Sequence, residues 1–384
     1  MLHTSKKPVI LQVLPALESG GVERGTVEIA RAVAKAGWQS LVASAGGAMT
    51  PSLAYAGAEH IKLPLASKSP WRIYANIAAL ERIIRLKRVD IVHVRSRAPA
   101  WSAYYATRRG SAHFITTFHG IYGLEREWKR RYNAIMTRGE RVIAVSQFVA
   151  DHLRKEYAVE PERIRVIPRG VDPHIFHPGR VHPERMAALA RAWRLPEDLP
   201  VILFPGRITR WKGQDLFIEA LAKLPHRRFL AVLVGDDTAH PDFRQELEKL
   251  TAARGLEGHV RMVGAAPHMA EAYTLSRLVV ATSAEPEAFG RVVLEAQAMA
   301  RPVIAADHGG AQETVVPNVT GWLVEPRNVD RLASCIDHAL QAGNETLAAM
   351  GERGMEHSRL FTLEVMCGRT LSVYQEVLAA PVKR

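Results

Sequence analysis

VILFPGRITRWKGQDLFIEALAKLPHRRFLAVLVG, residues 201–235, carries one complete structural unit. Val201–Arg207 opens as a short run of apolar and β-branched residues. A helix is expected over Asp215–Leu224, and Phe229–Gly235 is a second, nearly unbroken apolar run. Strands apolar on both faces and joined through a helix belong to a parallel sheet covered on both sides.

The same alternation extends outward from this unit. Downstream, strands are expected at His259–Gly264, Arg277–Ser283, Pro302–Asp307 and Gly321–Pro326, with helices over Asp330–Ala342 and about Thr362–Leu378. Upstream, Pro8–Pro15 leads through a glycine loop into a helix over Val22–Gly37. Then come Ser40–Ala45, a helix over Tyr74–Leu86, and strands at Asp90–Val94, Ile115–Gly120, Arg141–Ser146 and Arg163–Asp172. The stretch from Pro173 to about Pro200 is rich in His, Pro and polar residues and reads as a connection between domains. The pattern predicts an α/β chain of two tandem doubly wound, Rossmann-like domains. In such sheets ligands sit at the carboxyl ends of the strands, so a cleft between the domains is the expected site.

Length and composition agree. The 384 residues suit two domains, and 47 % hydrophobic with 23 % charged residues is ordinary globular usage, excluding a disordered or collagen-like chain. Two cysteines, Cys335 and Cys367, exclude a disulfide scaffold and a Cys-rich zinc module. No apolar run reaches membrane-spanning length and the first residues lack a signal-peptide core, so a cytoplasmic protein is expected. The net charge of +12 is uneven. Residues 1–198 hold 31 Lys+Arg against 17 Asp+Glu, a net of +14, and residues 199–384 hold 20 against 22. A basic half points to an anionic surface or nucleic acid facing one domain.

Three segments carry chemistry. In ESGGVERG, Glu18–Gly25, consecutive glycines precede a helix whose first N–H groups and dipole suit an anion. It is neither G-x-G-x-x-G nor a P-loop. In GRITRWKGQDLFIEA, Gly206–Ala220, Arg207 ends a strand and Lys212 precedes a helix, two cations placed to clamp a diphosphate. In SAEPEAFGRVVLEAQAMARPVIAADHGGAQE, Ser283–Glu313, Glu287 follows a strand and Glu295 lies on the helix behind it. Carboxylates accept paired hydrogen bonds from the vicinal hydroxyls of a sugar or ribose. Glu285 is a second candidate; Glu287 is preferred for its spacing to Glu295. The pair Glu356/Glu364 has equal spacing but no such loop, and reads as a solvated helix face. His174, His177 and His182 are separated by prolines that break a metal-ligand spacing.

Taken in this order, GGVERG, GRITRWKGQDLFIEA and EAFGRVVLE with ARPVIAADHGGAQETV resemble the retaining GT-B glycosyltransferases of family 4, which include bacterial lipopolysaccharide, mannosyl and glucosyl transferases. AVSQF (Ala144–Phe148), PRGVDPHIFHP (Pro168–Pro178) and NVTGWLVEP (Asn318–Pro326) extend the resemblance over nearly the whole chain. It implies an acceptor-binding domain over 1–178, a nucleotide-sugar donor domain over 179–361, and a last helix, about 362–384, crossing back to the first. It implies Arg207 and Lys212 on the donor diphosphate, Glu287 on the sugar hydroxyls and Glu295 on the ribose. Backbone at Ala288, Phe289 and Gly290 meets sugar or phosphate, and Val263 and Gly264 lie near the base. Gly20 and Gly21 close on the donor phosphates, and His119 of TTFHG matches the family's histidine beside the donor sugar. Arg169 stands where the family often has Asn, which changes the charge at the hinge.

The implied reaction is transfer of a hexose-type sugar from a UDP-, GDP- or ADP-linked donor, with retention. Negative charge grows on the leaving diphosphate, where Arg207 and Lys212 are the right groups. No D-x-D pair occurs, Asp236 and Asp237 being adjacent, so no metal or other cofactor is expected. On the acceptor side, Ile121–Arg141 reads as a basic amphipathic helix. Its apolar residues include Leu124, Trp128, Tyr132, Ile135 and Met136, among Arg126, Lys129, Arg130, Arg131 and Arg138. A second basic set, Lys68, Arg72, Arg82, Arg85, Lys87 and Arg88, includes Trp71 and Tyr74. The expectation is a lipid-linked or cell-envelope glycan acceptor, as in lipopolysaccharide biosynthesis, on the cytoplasmic face of a bacterial inner membrane. The rivals are a nucleotide-sugar epimerase of the same fold and a nucleic-acid binder. The second lacks any RRM, KH or helix-turn-helix signature, so no nucleic-acid partner is expected.

Overall fold

The structure, a computed structural model, describes residues 7–18, 20–67, 69–122 and 126–382. It divides into two compact units, residues 1–169 with 363–384 and residues 170–362. Counted by unit, the first has 30 Lys+Arg against 15 Asp+Glu, a net of +15, and the second 21 against 24, a net of −3.

The first unit holds one parallel sheet of β1 (Val9–Val13), β2 (Gln39–Ser44), β3 (Glu59–Lys62), β4 (Ile91–Val94), β5 (His113–Phe118), β6 (Arg141–Ala144) and β7 (Ile164–Val166), in the order β3-β2-β1-β4-β5-β6-β7. Chain order reverses between β1 and β4, whose register sets Val13 beside Val94. Ile10, Ile91, Ile115 and Ile143, on four adjacent strands, share one core cluster with Ile29 and Val33 of the helix Gly21–Lys35. That cluster is closed by the helix Leu363–Leu378 through Met366, Val373, Tyr374 and Val377. The buried His93 of β4 lies between Tyr374 Oη (2.6 Å from Nδ1) and Thr117 Oγ1 (2.6 Å from Nε2). Glu376, farther along the helix, pairs with both Arg141 and Arg165 at the far edge of the sheet.

The second unit holds β8 (Val201–Pro205), β9 (Leu230–Val234), β10 (Val260–Met262), β11 (Leu278–Ala281), β12 (Val303–Ala306) and β13 (Gly321–Val324), parallel in the order β10-β9-β8-β11-β12-β13. Here the order reverses between β8 and β11, with Leu203 beside Val279. Phe204, Phe217, Phe229 and Leu233 are fully buried in its core.

Several expectations change. The stretch after Pro173 is not a free connection. Phe176 is buried against Tyr273 with ring centroids 6.0 Å apart, and Trp193 is buried too. Val171 also bridges Thr362, so the second unit begins at Gly170 rather than 179. The strand expected over Arg163–Asp172 is only the three residues of β7. Glu356 and Glu364 share no helix face, because Ser358 ends one helix and Leu363 starts the next. The expected amphipathic helix is a seven-residue helix, Glu127–Asn133, and a single 3-10 turn, Ala134–Thr137. Trp128 faces solvent while Ile135 and Met136 are in the core, so no single apolar stripe forms. Leu124 and Lys68 lie outside the described residues.

Candidate active site

In the second unit the carboxyl ends of β8 and β11 converge at the order reversal, where a doubly wound sheet binds its ligand. Three backbones meet tightly beside them. Gly206 N donates to Val234 O (2.8 Å) and Gly235 N to Gly264 O (2.8 Å). A Cβ on Gly235 would collide with the Gly206 carbonyl, so only glycine fits. Val263 N donates to Leu233 O (3.1 Å), which ties the loop of Val263 and Gly264 to the end of β9.

From β8 the chain reaches Arg207, exposed, and then Lys212, whose residue is only 9 % exposed. Gly213 lets it turn there. Its φ is +78°, and a Cβ would stand 2.5 Å from Thr282 O. The turn seats Lys212 Nζ 2.7 Å from Glu287 Oε1 and over the Trp211 ring, 4.5 Å from its centroid. Ser283 donates its hydroxyl to the same carboxylate oxygen. Burial pushes the Glu287 carboxyl up, but the Lys212 charge and hydrogen bond, the Ser283 hydroxyl and His308 together hold it below the usual range. It is therefore a carboxylate at neutral pH, able to accept from hydroxyls. Glu285, the competing candidate, is exposed, and its backbone N–H reaches Trp211 O.

The loop Glu287–Gly290 is braced from behind. Gly310 N donates to Glu287 O (2.9 Å), and Cβ atoms on Gly309 or Gly310 would strike the backbone of Glu287 or Phe289. His308 donates Nε2–H to Ser283 O (3.0 Å). Phe289 is buried against Phe361, Ala288 is half-buried, and Gly290 at φ +78° starts the helix Arg291–Ala298. Glu295, on that helix, is 8 % exposed and takes the Tyr273 hydroxyl at 3.0 Å, with Arg291 Nε at 3.9 Å. Lys212 and Glu287 are thus in direct contact, while Glu295 answers to different partners. Ser283, His308 and Tyr273 had no signal of their own in the sequence. They act through a carbonyl, a hydroxyl or a buried contact, none of which leaves a spacing pattern.

The first unit gathers a second set of charges at the same end of its sheet. Gly21 opens the helix Gly21–Lys35, and a Cβ on it would meet Arg169 Nη1. A Cβ on Gly20 would meet the Glu23 carboxylate, which folds back over the helix start. Arg169 Nη2 lies 3.1 Å from His119 Nδ1. A guanidinium only donates, so Nδ1 accepts and the proton sits on Nε2, which is buried without a hydrogen-bond partner among the described residues. Burial first, then the charges of Arg95 and Arg169 and the nearby His93, holds His119 well below its ordinary range, so the ring is neutral at pH 7. Arg95, buried beyond the end of β4, bonds Gln12 Oε1 at 3.2 Å, and its Nε has no partner among the described residues. Trp128, Arg130 and Arg131 are exposed and Lys129 is half-buried. His174, His177 and His182 are all exposed, and His177 Nδ1 caps Gly179 N at 3.1 Å.

Two family descriptions match the chain in succession: Glycosyltransferase Family 4 over residues 19–175, and Glycosyl transferases group 1 over residues 186–357. A solved glycosyltransferase from Rickettsia africae is 40 % identical with a TM-score of 0.91, over 97 % of this chain and 99 % of that one. A D-inositol 3-phosphate glycosyltransferase from Catenulispora acidiphila is 35 % identical over 258 residues, 64 % of this chain and 59 % of its own length. The chain spans just over half the length of the first such relatives. Anabaena HepE, solved in complex with UDP-glucose, shares the fold with a TM-score of 0.82 at 23 % identity, over 96 % of this chain and 99 % of that one. The chain belongs to the group 1, family 4 glycosyltransferases, with the two parallel-sheet domains of the GT-B fold.

Proposed function

From that membership we propose that the protein transfers a hexose-type sugar from a nucleotide-diphosphate sugar to a lipid-linked or cell-envelope glycan acceptor, with retention and without a metal ion. The observation that carries the reading is the Lys212–Glu287 pair, 2.7 Å apart at the order reversal of the second sheet. As the donor's glycosidic bond breaks, negative charge collects on the diphosphate. Lys212 and the exposed Arg207 supply fixed positive charge there, the work a metal does in other transferases. The ionised Glu287 takes hydrogen bonds from the sugar hydroxyls, and Glu295 serves the ribose. Ala288, Phe289 and Gly290, at a helix start, and Val263 with Gly264, beside the base, complete the donor site. Gly20 and Gly21 approach the phosphates, and the neutral His119 offers Nε2–H to the sugar.

Two features support an anionic acceptor. The first unit carries a net +15, and it gathers Arg95 and Arg169 at the carboxyl end of its sheet. A relative named for D-inositol 3-phosphate is consistent with such an acceptor. Among the described residues no helix is long and apolar enough to cross a membrane. Exposed Trp71 (85 %), Tyr74 (67 %) and Trp128 (61 %), interleaved with Arg72, Arg130 and Arg131, support a peripheral seat on an anionic membrane, at its cytoplasmic face.

The test is a screen of UDP-, GDP- and ADP-sugars with and without acceptor, starting from UDP-glucose and repeated with chelator. The reading expects one donor to be consumed only when acceptor is added, at an unchanged rate in chelator. An epimerised donor formed without acceptor, or loss of activity in chelator that manganese restores, overturns it.

A further inference from the structure

The first unit has a cavity that the proposed reaction does not use. It is a hollow of about 690 Å³, open to solvent on one side, lined by Glu81, Asp90 and the exposed Arg85, Arg88, Arg108 and Arg109 among others. It lies at the amino ends of the strands, because Asp90 immediately precedes β4 and Gly110–Ser111 lead into β5. Arg85 and Arg88, read from the sequence with the acceptor-side basic set, line this cavity instead, whereas Lys212, Glu287, Arg95, Arg169 and His119 lie at carboxyl ends. Two helices deliver the cations. The helix Pro70–Leu86 ends on Arg85 with Arg88 just beyond it, and the helix Arg97–Arg108 ends on Arg108 with Arg109 as its cap. Trp71, at the start of the first of these helices, stands about 20 Å away from Arg85 along the axis. Trp71, proposed to meet a membrane, is therefore well removed from the cavity.

The charges in this cavity are not balanced from within. Of the two carboxylates, Asp90 accepts the backbone N–H of Val9 at 2.9 Å, and Glu81 comes no nearer than 3.8 Å to Arg109. The side chains of Arg85, Arg88 and Arg108 have no hydrogen-bond or ion-pair partner among the described residues. Helix carbonyl ends account for a basic residue in each last turn. They do not account for two further arginines beyond those ends turning into the same hollow. Guanidinium groups converging on one concave space match the fork geometry that recognises phosphate oxygens.

We propose that this four-arginine cavity is a binding site for a phosphate-bearing ligand, separate from the transfer site. The phosphate can belong to a soluble metabolite or to a lipid headgroup, and the experiment separates the two. Arginine-selective labelling with phenylglyoxal, read by mass spectrometry on the full chain, is run with inorganic pyrophosphate, with phosphatidylglycerol vesicles and with phosphatidylcholine vesicles. Arg191 and Arg331, exposed in the second unit, are the reference sites. The expected result is at least threefold protection of Arg85, Arg88, Arg108 and Arg109 relative to the references. Protection by pyrophosphate identifies a soluble phosphate, and protection by phosphatidylglycerol alone a headgroup. A folded R108A/R109A variant, checked by its melting temperature, should lose the protection of Arg85 and Arg88 and keep donor consumption unchanged. No selective protection in any arm, or equal protection by phosphatidylcholine, overturns the proposal, as does full protection in the double variant.

Discussion

Lys212 and Glu287 depend on each other more than any other pair at the candidate site. The ammonium keeps a poorly solvated carboxylate ionised, and the carboxylate holds the ammonium at the mouth of the donor site. K212A should lower the transfer rate about 10²-fold or more, the scale for losing one donor to a developing oxyanion. It should also cost about 1–3 kcal/mol of stability, because Glu287 keeps its burial and loses its partner. Arg207 is exposed and anchors nothing, so R207A should show a similar rate loss with little change in melting temperature. Steady-state kinetics with calorimetric melts on both variants separate the two effects. Near-normal turnover in either would remove that residue from the chemistry. Of these groups, the sequence motif made Arg207, Lys212 and Glu287 legible, because charged residues flanking a strand end and a helix start leave a fixed spacing. Ser283 and His308 were invisible, since a hydroxyl donor and a histidine bound to a carbonyl look like any loop residues. Glu295 was legible by position, but its hydrogen bond from Tyr273, which lies 22 residues earlier, was not.

At the scale of elements, strands buried on both faces were easily read. β1, β8, β9 and β12 are runs of Val, Ile, Leu, Phe and Ala, interrupted only by Gln12 and Pro205, and each lies within the stretch predicted for it. β3, Glu-His-Ile-Lys, was missed because an edge strand with half its residues exposed carries no apolar run. The basic stretch after Ile121 misled for a related reason. Its apolar residues do recur at helical spacing, but the 3-10 turn at Ala134 rotates Ile135 and Met136 inward while Trp128 stays in solvent. The helix Leu363–Leu378 is held by packing, by the buried contact of Tyr374 with His93 and by the pairs of Glu376 with Arg141 and Arg165. Y374F leaves His93 Nδ1 buried without that partner and should cost about 1–3 kcal/mol, seen as a lower melting temperature. A melt unchanged within about 1 °C would show that the contact contributes nothing net.

For the whole molecule, pH and charge make the predictions. His93 and His119 are both held well below their ordinary value, first by burial. The unfolded chain therefore takes up protons near pH 6.5 that the folded chain refuses. Stability is complete above about pH 6.5 and falls as pH drops below it, the direction for a buried neutral histidine. Denaturant melts at pH 7.5, 6.0 and 5.0 should show this loss, and H93Q should reduce its slope. A slope unchanged by H93Q would assign the acid sensitivity to other groups. The +15 of the first unit predicts co-sedimentation with anionic vesicles that weakens as salt rises, with W71A and W128A each lowering bound protein severalfold. Equal, low binding to neutral and anionic vesicles would leave the membrane seat unsupported.

The return of residues 363–382 to the first sheet has a consequence for biosynthesis. The second unit is continuous in sequence, whereas the first is interrupted by the whole of it. During translation the second unit can complete its core while the first still lacks Met366, Val373, Tyr374 and Val377. The order of folding on the ribosome is then the reverse of the order of synthesis. A chain ended at residue 362 and released from the ribosome should resist protease over 170–362 and be cut within 1–169, and a chain extended through residue 382 should be protected over both.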